Sequence, residues 1–217
     1  MADLPIDLGD GLTERLARAL DVEAKIPRAL EALGPVGGRD VLLLDGADGI
    51  RARQLAELGA RVTYAAAGGP AGIDAPDVSA DVVVSLWTPF RGWDGPESAA
   101  VARVLRQGGR LLVVLDYGRD DVSRLRGDLS EYGVLSRRDG PYLRGGYKVR
   151  VVHCFWTFGS QEETTTFLDE AFGAVGREVA AGLKRPRLSY NVAVYHRTRG
   201  ATAASDATAA TDETASG

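Results

Sequence analysis

The chain has 217 residues, 45% of them apolar and 26% charged, with a formal net charge of −4. That length holds one domain with a buried core, and the composition is that of a globular protein rather than a disordered or fibrous one. The slight negative balance excludes a general polyanion binder, since phosphate contacts need a basic excess, and no apolar run nears the roughly 20 residues that span a bilayer.

The opening "MADLPIDLGDGL" lacks a basic segment followed by an apolar core, so no signal peptide is expected and the expected compartment is the cytoplasm. The single Cys154 excludes an internal disulfide. Lys occurs only at 25, 148 and 184 among many Arg, Ala and Gly residues, a bias that fits a GC-rich bacterial genome.

Residues 1–36 read as two helices packing on a core. Leu12, Leu16, Ala19 and Leu20 share one face, and Ile26, Leu30 and Leu33 form a second stripe. Pro27 suits a first helical turn, and Gly34-Pro35 stops the helix. "DVLLLD" (40–45) reads as a fully buried strand, followed by a helix over "GIRARQLAELG". "RVTYAAA" (61–67) and "DVVVSLW" (81–87) are the next strands. "PESAAVARVLRQ" (96–107) reads as a helix capped by Gly108-Gly109, and "RLLVVLD" (110–116) as the fourth strand. A helix is expected over 120–133. "YKVRVVHCFWTF" (147–158) is rich in β-branched and aromatic residues and reads as a long strand. Ser160 with Glu163 forms a capping-box pattern that opens a helix to about Ala181, and "RLSYNVAVYHR" (187–197) is the last strand. Strands alternating with helices predict a Rossmann-like, doubly wound, mostly parallel α/β sheet over 37–199, with an antiparallel C-terminal strand. Residues 200–217 contain no large apolar side chain, and a disordered tail is expected.

The passage "VARVLRQGGRLLVV", Val101 to Val114, is similar to the helix–Gly-Gly–strand passage that class I S-adenosylmethionine-dependent methyltransferases carry before their fifth strand. The resemblance covers roughly residues 38–118. It implies a cofactor turn after the first strand, where family members have an acidic residue and then Gly-x-Gly-x-Gly. The register set by Gly49 and Leu55 puts Leu43 at the acidic position, Asp45 at the first glycine, Ala47 at the second and Gly49 at the third. The motif is therefore degenerate. The resemblance makes Asp45, Gly46, Ala47, Asp48 and Gly49 the cofactor-binding candidates. Ala66 stands where the family has the acid that holds both ribose hydroxyls. The family also carries a helix and a strand between its second and fourth strands. Only a short stretch rich in Gly and Pro lies there, in which Asp74 or Asp77 is the candidate adenine contact. The plain alternative for residues 43–49 is a strand-to-helix turn with Asp45 or Asp48 as helix N-cap.

"SLWTPFRGW" (85–93) follows a core strand's carboxyl end, where open α/β sheets bind ligands. Trp87, Phe90 and Trp93 are candidate substrate-binding residues, or else pack a loop onto the core. His153 and Cys154 are neighbours on a strand and so point to opposite faces. Two His and one Cys give no credible metal-ligand set. Basic residues around 136–150 and 184–199 could hold an anion or RNA, or form a solvated surface.

Two readings follow. One is a diverged class I methyltransferase moving a methyl group from S-adenosylmethionine to a small molecule. The other is a non-catalytic module that keeps the fold for a partner or a different ligand. A nicotinamide-dependent oxidoreductase fits worse, because Gly-x-Gly-x-x-Gly is lacking. No catalytic residue is singled out, and the sequence fixes no oligomeric state.

Overall fold

The computed structural model describes residues 4–46, 49–67, 72–127 and 129–200. Two helices, α1 (Asp10–Ala19) and α2 (Lys25–Leu33), come first. The order is then β1 (Asp40–Leu44), α3 (Ile50–Glu57), β2 (Arg61–Ala65), β3 (Ala80–Leu86), α4 (Gly95–Val104) and β4 (Leu105–Asp116). Two short helices, α5 (Asp121–Leu125) and α6 (Pro141–Arg144), precede β5 (Lys148–Thr157), α7 (Gln161–Gly182) and β6 (Arg187–Thr198).

The six strands form one sheet in the order β2-β1-β3-β4-β6-β5. β1, β2, β3 and β4 pair in parallel, and β6 runs antiparallel to both β4 and β5. This is the Rossmann-like, class I methyltransferase-type sheet with an antiparallel C-terminal strand. Among the described residues no helix or strand intervenes between β2 and β3 apart from the Ala67–Ile73 bridge, and β2 forms one edge of the sheet, with β5 at the other.

The central strands read as continuous apolar runs because both faces are covered. Val41 and Leu43 point into one cluster, with Val82, Val84, Leu112, Val114, Val192 and Val194. Leu42 and Leu44 point into the other, with Val83, Leu111, Val113 and Tyr195. Residues of α1, α2, α3, α5 and α7 cover the first face, and residues of α4 and α6 the second. Each alternation follows from the two-residue period of a strand.

Three local expectations are corrected. The helix expected over 96–107 ends at Val104, because Leu105 turns extended and pairs with Ala80. The chain then bulges before Arg110 pairs with Val82, so Gly108-Gly109 turns inside a strand rather than capping a helix. A Cβ at Gly109 would lie 2.8 Å from the Arg106 oxygen and 2.9 Å from the Asp81 oxygen, which is why the glycine is needed there. The helix expected over 120–133 is only α5; Gly127 adopts φ +79° and the chain continues in turns. The Ser160 hydroxyl accepts from the Glu163 amide at 3.0 Å as a capping box requires, while the Glu163 carboxylate accepts from Gly159 at 2.8 Å. No helix of the described residues is long and apolar enough to cross a membrane.

Candidate cofactor and substrate site

From β1 the chain crosses to β2 on one side and later returns to β3 on the other. The strand order reverses at β1, and the carboxyl ends of β1, β2 and β3 flank the crevice where sheets of this kind take ligands.

Asp45 ends β1. Its φ of +52° is left-handed, a region that Asp and Asn visit more readily than most residues. Its amide donates to the Ala65 oxygen at 2.9 Å. Its carboxylate Oδ1 accepts from the Ala67 amide at 2.8 Å, and Oδ2 accepts nothing from the described residues. The side chain is exposed and turned across to the tip of β2. It is not the N-cap of α3. That position is Gly49, in extended conformation with no side-chain capping bond. Ala47 and Asp48 lie outside the described residues.

Gly46 is buried on Leu43. A Cβ there would sit 2.6 Å from Leu43 Cδ2 and 2.8 Å from Cγ. Leu43, at the family's acidic position, is 1% exposed and belongs to the core. Ala66 is exposed just past β2, and its oxygen accepts from the Asp74 amide at 3.2 Å.

The first turn of α3 carries a residue that the sequence reading did not single out. Arg51 is 1% exposed. Its guanidinium lies 3.6 Å from Asp21 Oδ2 and donates to Gln54 at 2.7 Å. Asp21, also buried, accepts from the amides of Lys25 at 2.9 Å and Ile26 at 2.7 Å, so it starts α2 and ties that helix to α3. The available signal was Arg51 four residues before Leu55, on the face that the helix buries.

The aromatic candidates divide between the two faces. Trp87 is half-buried at φ +51° and packs against the Leu43 cluster; its Nε1 donates to Asp116 Oδ1 at 3.1 Å. Phe90 is 4% exposed in the opposite cluster, and Trp93 meets Tyr142 edge-on at 4.7 Å. Phe90 and Trp93 are thus near one aromatic group, with Tyr142 stacked on Tyr195 at 3.8 Å, and Trp87 is apart from them.

Asp116 closes β4 and was also missed. It accepts from Trp87, from the hydroxyls of Tyr190 and Tyr132, and from the Arg126 guanidinium. Burial pushes its carboxyl above the ordinary range, against the lowering by Arg126, Tyr190 and Trp87. The network fixes the indole of Trp87 just beyond the carboxyl end of β3.

His153 is exposed with Nδ1 2.7 Å from Asn191 Oδ1, whereas Cys154 is buried on the other face. Burial pushes the Cys154 thiol up, away from nucleophile chemistry. Among the described residues no three His, Cys, Asp or Glu side chains converge as metal ligands.

No family model matches the chain, and no curated protein is similar to it in sequence. Solved structures are similar to it in fold. A proposed type II methyltransferase from Anaeromyxobacter dehalogenans is 20% identical, with a TM-score of 0.49 over 80% of this chain and 95% of that one. A proposed methyltransferase of an antibiotic biosynthesis pathway from Anabaena variabilis is 13% identical, with a TM-score of 0.48 over 82% and 98%. An S-adenosylmethionine-dependent methyltransferase from Thiobacillus denitrificans, solved with S-adenosyl-L-homocysteine, is 14% identical, with a TM-score of 0.44 over 89% and 98%.

Proposed function

We propose that the chain is a diverged class I methyltransferase-type protein whose crevice takes S-adenosylmethionine, with a small molecule as methyl acceptor. The observation that carries this reading is the Asp45 carboxylate. The family's ribose-binding acid is lacking at Ala66, yet an exposed carboxylate stands at the same strand tip, anchored to the Ala67 amide with Oδ2 left to accept. The acid comes from the turn after β1 instead of the end of β2.

The residues fit the cofactor at its ribose end. Asp45 would accept from the ribose hydroxyls. Gly46, pressed on Leu43, and Gly49, at the start of α3, would let the backbone approach. When bound, the cofactor supplies an activated methyl group. The chain's own part is to align an acceptor with it, by proximity and orientation rather than a dedicated base. Trp87, held by Asp116, walls the β3 side of the crevice, and Phe90 and Trp93 shape the loop beyond it.

Leu43 favours the second reading, a non-catalytic module for a partner or a different ligand. Buried in the core, it offers no carboxylate at the cofactor's methionine end. Calorimetric titration of the protein with S-adenosylhomocysteine separates the two. Saturable binding below millimolar concentration is expected. No heat and no thermal shift at millimolar ligand would leave the non-catalytic module as the function.

A further inference from the structure

β5 is the edge of the sheet opposite β2, and α2 packs against it. Between them lies a groove of about 340 Å³, within the roughly 300–1,000 Å³ of small-ligand sites. On β5 it spans only Arg150 to His153. That is shorter than an ordinary strand of about 5–6 residues, so the groove suits a small molecule rather than an added strand. Ala29, Leu33 and Val152 give it an apolar floor continuous with the core. At the His153 end Lys25 reaches across, its Nζ donating to the His153 oxygen at 3.1 Å.

Among the described residues no Asp or Glu lines the groove. Lys25 is neutralised by Glu23 at 2.5 Å. Arg28 donates only to main-chain oxygens, of Ala24 at 3.0 Å and of Glu23. Arg150 is exposed and makes no hydrogen bond or ion pair with the described residues. Two guanidinium charges therefore border the groove without a carboxylate partner. The strand edge adds two more donors. The Phe155 oxygen accepts from the Asp21 amide at 3.0 Å, so Phe155 faces away from β6. Backbone groups alternate along a strand, so Val151 and His153 face the same way, in agreement with the bond from Lys25. The amides of Val151 and His153 point into the groove with no acceptor among the described residues.

We propose that this groove binds a small carboxylate with an apolar body. The carboxylate accepts from the guanidiniums and the strand-edge amides, and such charge-assisted bonds are about twice as strong as neutral ones. The body lies on Ala29, Leu33 and Val152 and takes their apolar surface out of water. Neither half of the groove accounts for a ligand alone. An inorganic anion leaves the floor wet, and a neutral apolar molecule leaves the guanidiniums and amides without an acceptor. A cation is repelled by Arg28 and Arg150. In the sheet order β5 stands four strands from β1, so this groove is separate from the candidate cofactor crevice.

Octanoate is the probe, titrated into the full chain by calorimetry and by amide NMR. It should saturate with a dissociation constant of roughly 0.1–1 mM, and the Val151 and His153 amide signals should shift along with it. Acetate lacks the apolar body and octylammonium carries the opposite charge, so each should bind at least about tenfold more weakly. Arg150→Glu alters an exposed side chain that no partner among the described residues holds. It should keep the circular dichroism spectrum and lose at least about tenfold in octanoate affinity. Ala32→Glu puts an acid in the groove four residues after Arg28, where it occupies that guanidinium, and should weaken octanoate likewise. Octanoate that fails to saturate by roughly 10 mM overturns the proposal. So does acetate or octylammonium binding as tightly as octanoate, a titration that leaves the Val151 and His153 signals in place, or either variant binding octanoate like the wild type.

Discussion

Substitution Gly46→Ala separates two reasons for a glycine in the turn after β1, close approach of a ligand and close approach of the core. The added methyl would lie 2.6 Å from Leu43 Cδ2 and 2.8 Å from its Cγ, well inside van der Waals contact. Leu43 is 1% exposed and held between strands, so it cannot swing away. Overpacking of this kind costs about 1–3 kcal/mol, partly offset by about 0.4–1 kcal/mol from the less flexible unfolded chain. A net loss near 1–2 kcal/mol is expected in the apo protein, with no ligand involved. Leu43→Ala alone should cost about 2–5 kcal/mol by opening a cavity. The two changes touch the same space, since the new methyl enters the volume that the leucine leaves. The double variant should therefore be more stable than the sum by at least ~1 kcal/mol. Urea unfolding followed through the three tryptophans measures all three variants. A Gly46→Ala change within about 0.5 kcal/mol of wild type, or a strictly additive double variant, would refute the packing explanation of Gly46.

Two further outcomes follow from the same geometry. Asp21→Ala removes the acceptor of two α2 amides and the buried partner of Arg51, and should cost about 3–5 kcal/mol in urea unfolding; a cost under ~1 kcal/mol would show that the tie between α2 and α3 is dispensable. His196 is held below its ordinary value of 6.5, first by burial and then by Arg110 and Lys148. The folded state therefore binds fewer protons than the unfolded one. Its contribution is fully present above pH 6.5 and is lost as pH falls from there through the lowered folded value. The loss of stability between pH 7.5 and 5.5 should shrink in His196→Gln, and an unchanged slope would assign that pH dependence to other groups.

The sheet was legible because its strands are buried on both faces. "VLLL", "VVV" and "LLVV" are apolar without interruption, and Val41, Leu42 and Leu43 divide between the two clusters by the alternation alone. Boundaries were less so. Val104 to Gly109 keeps a helical pattern in sequence, yet pairing of Leu105 with Ala80 takes those residues into a bulged strand. The place of the candidate site was legible from Gly49 and Leu55, but its chemistry was not. Asp45 reads in sequence as an intruder at a glycine position or as a helix cap. Only its left-handed backbone, which turns the carboxylate to Ala67 on the neighbouring strand, reveals what it reaches. Trp87, Phe90 and Trp93 read as one group, a substrate wall or a loop packed on the core, because they are close in sequence. A left-handed turn at Trp87 sends the following residues to the other face of the sheet. The helix period places Arg51 on the buried face of α3, but its pairing with Asp21 and the partners of Asp116 are long-range contacts that no local pattern encodes.

The most direct test of the central claim, that Asp45 replaces the missing acid of β2, is calorimetric titration of S-adenosylhomocysteine into wild type and Asp45→Gly. Glycine suits φ +52° without strain and restores the residue that the family motif has at this position. If Asp45 accepts from the ribose hydroxyls, the variant loses a charged hydrogen-bond acceptor worth about 1.5–3 kcal/mol, and affinity falls by about ten- to a hundredfold. If Asp45 is instead an obstacle to the cofactor, removing it leaves affinity unchanged or raises it, and that result would contradict the account.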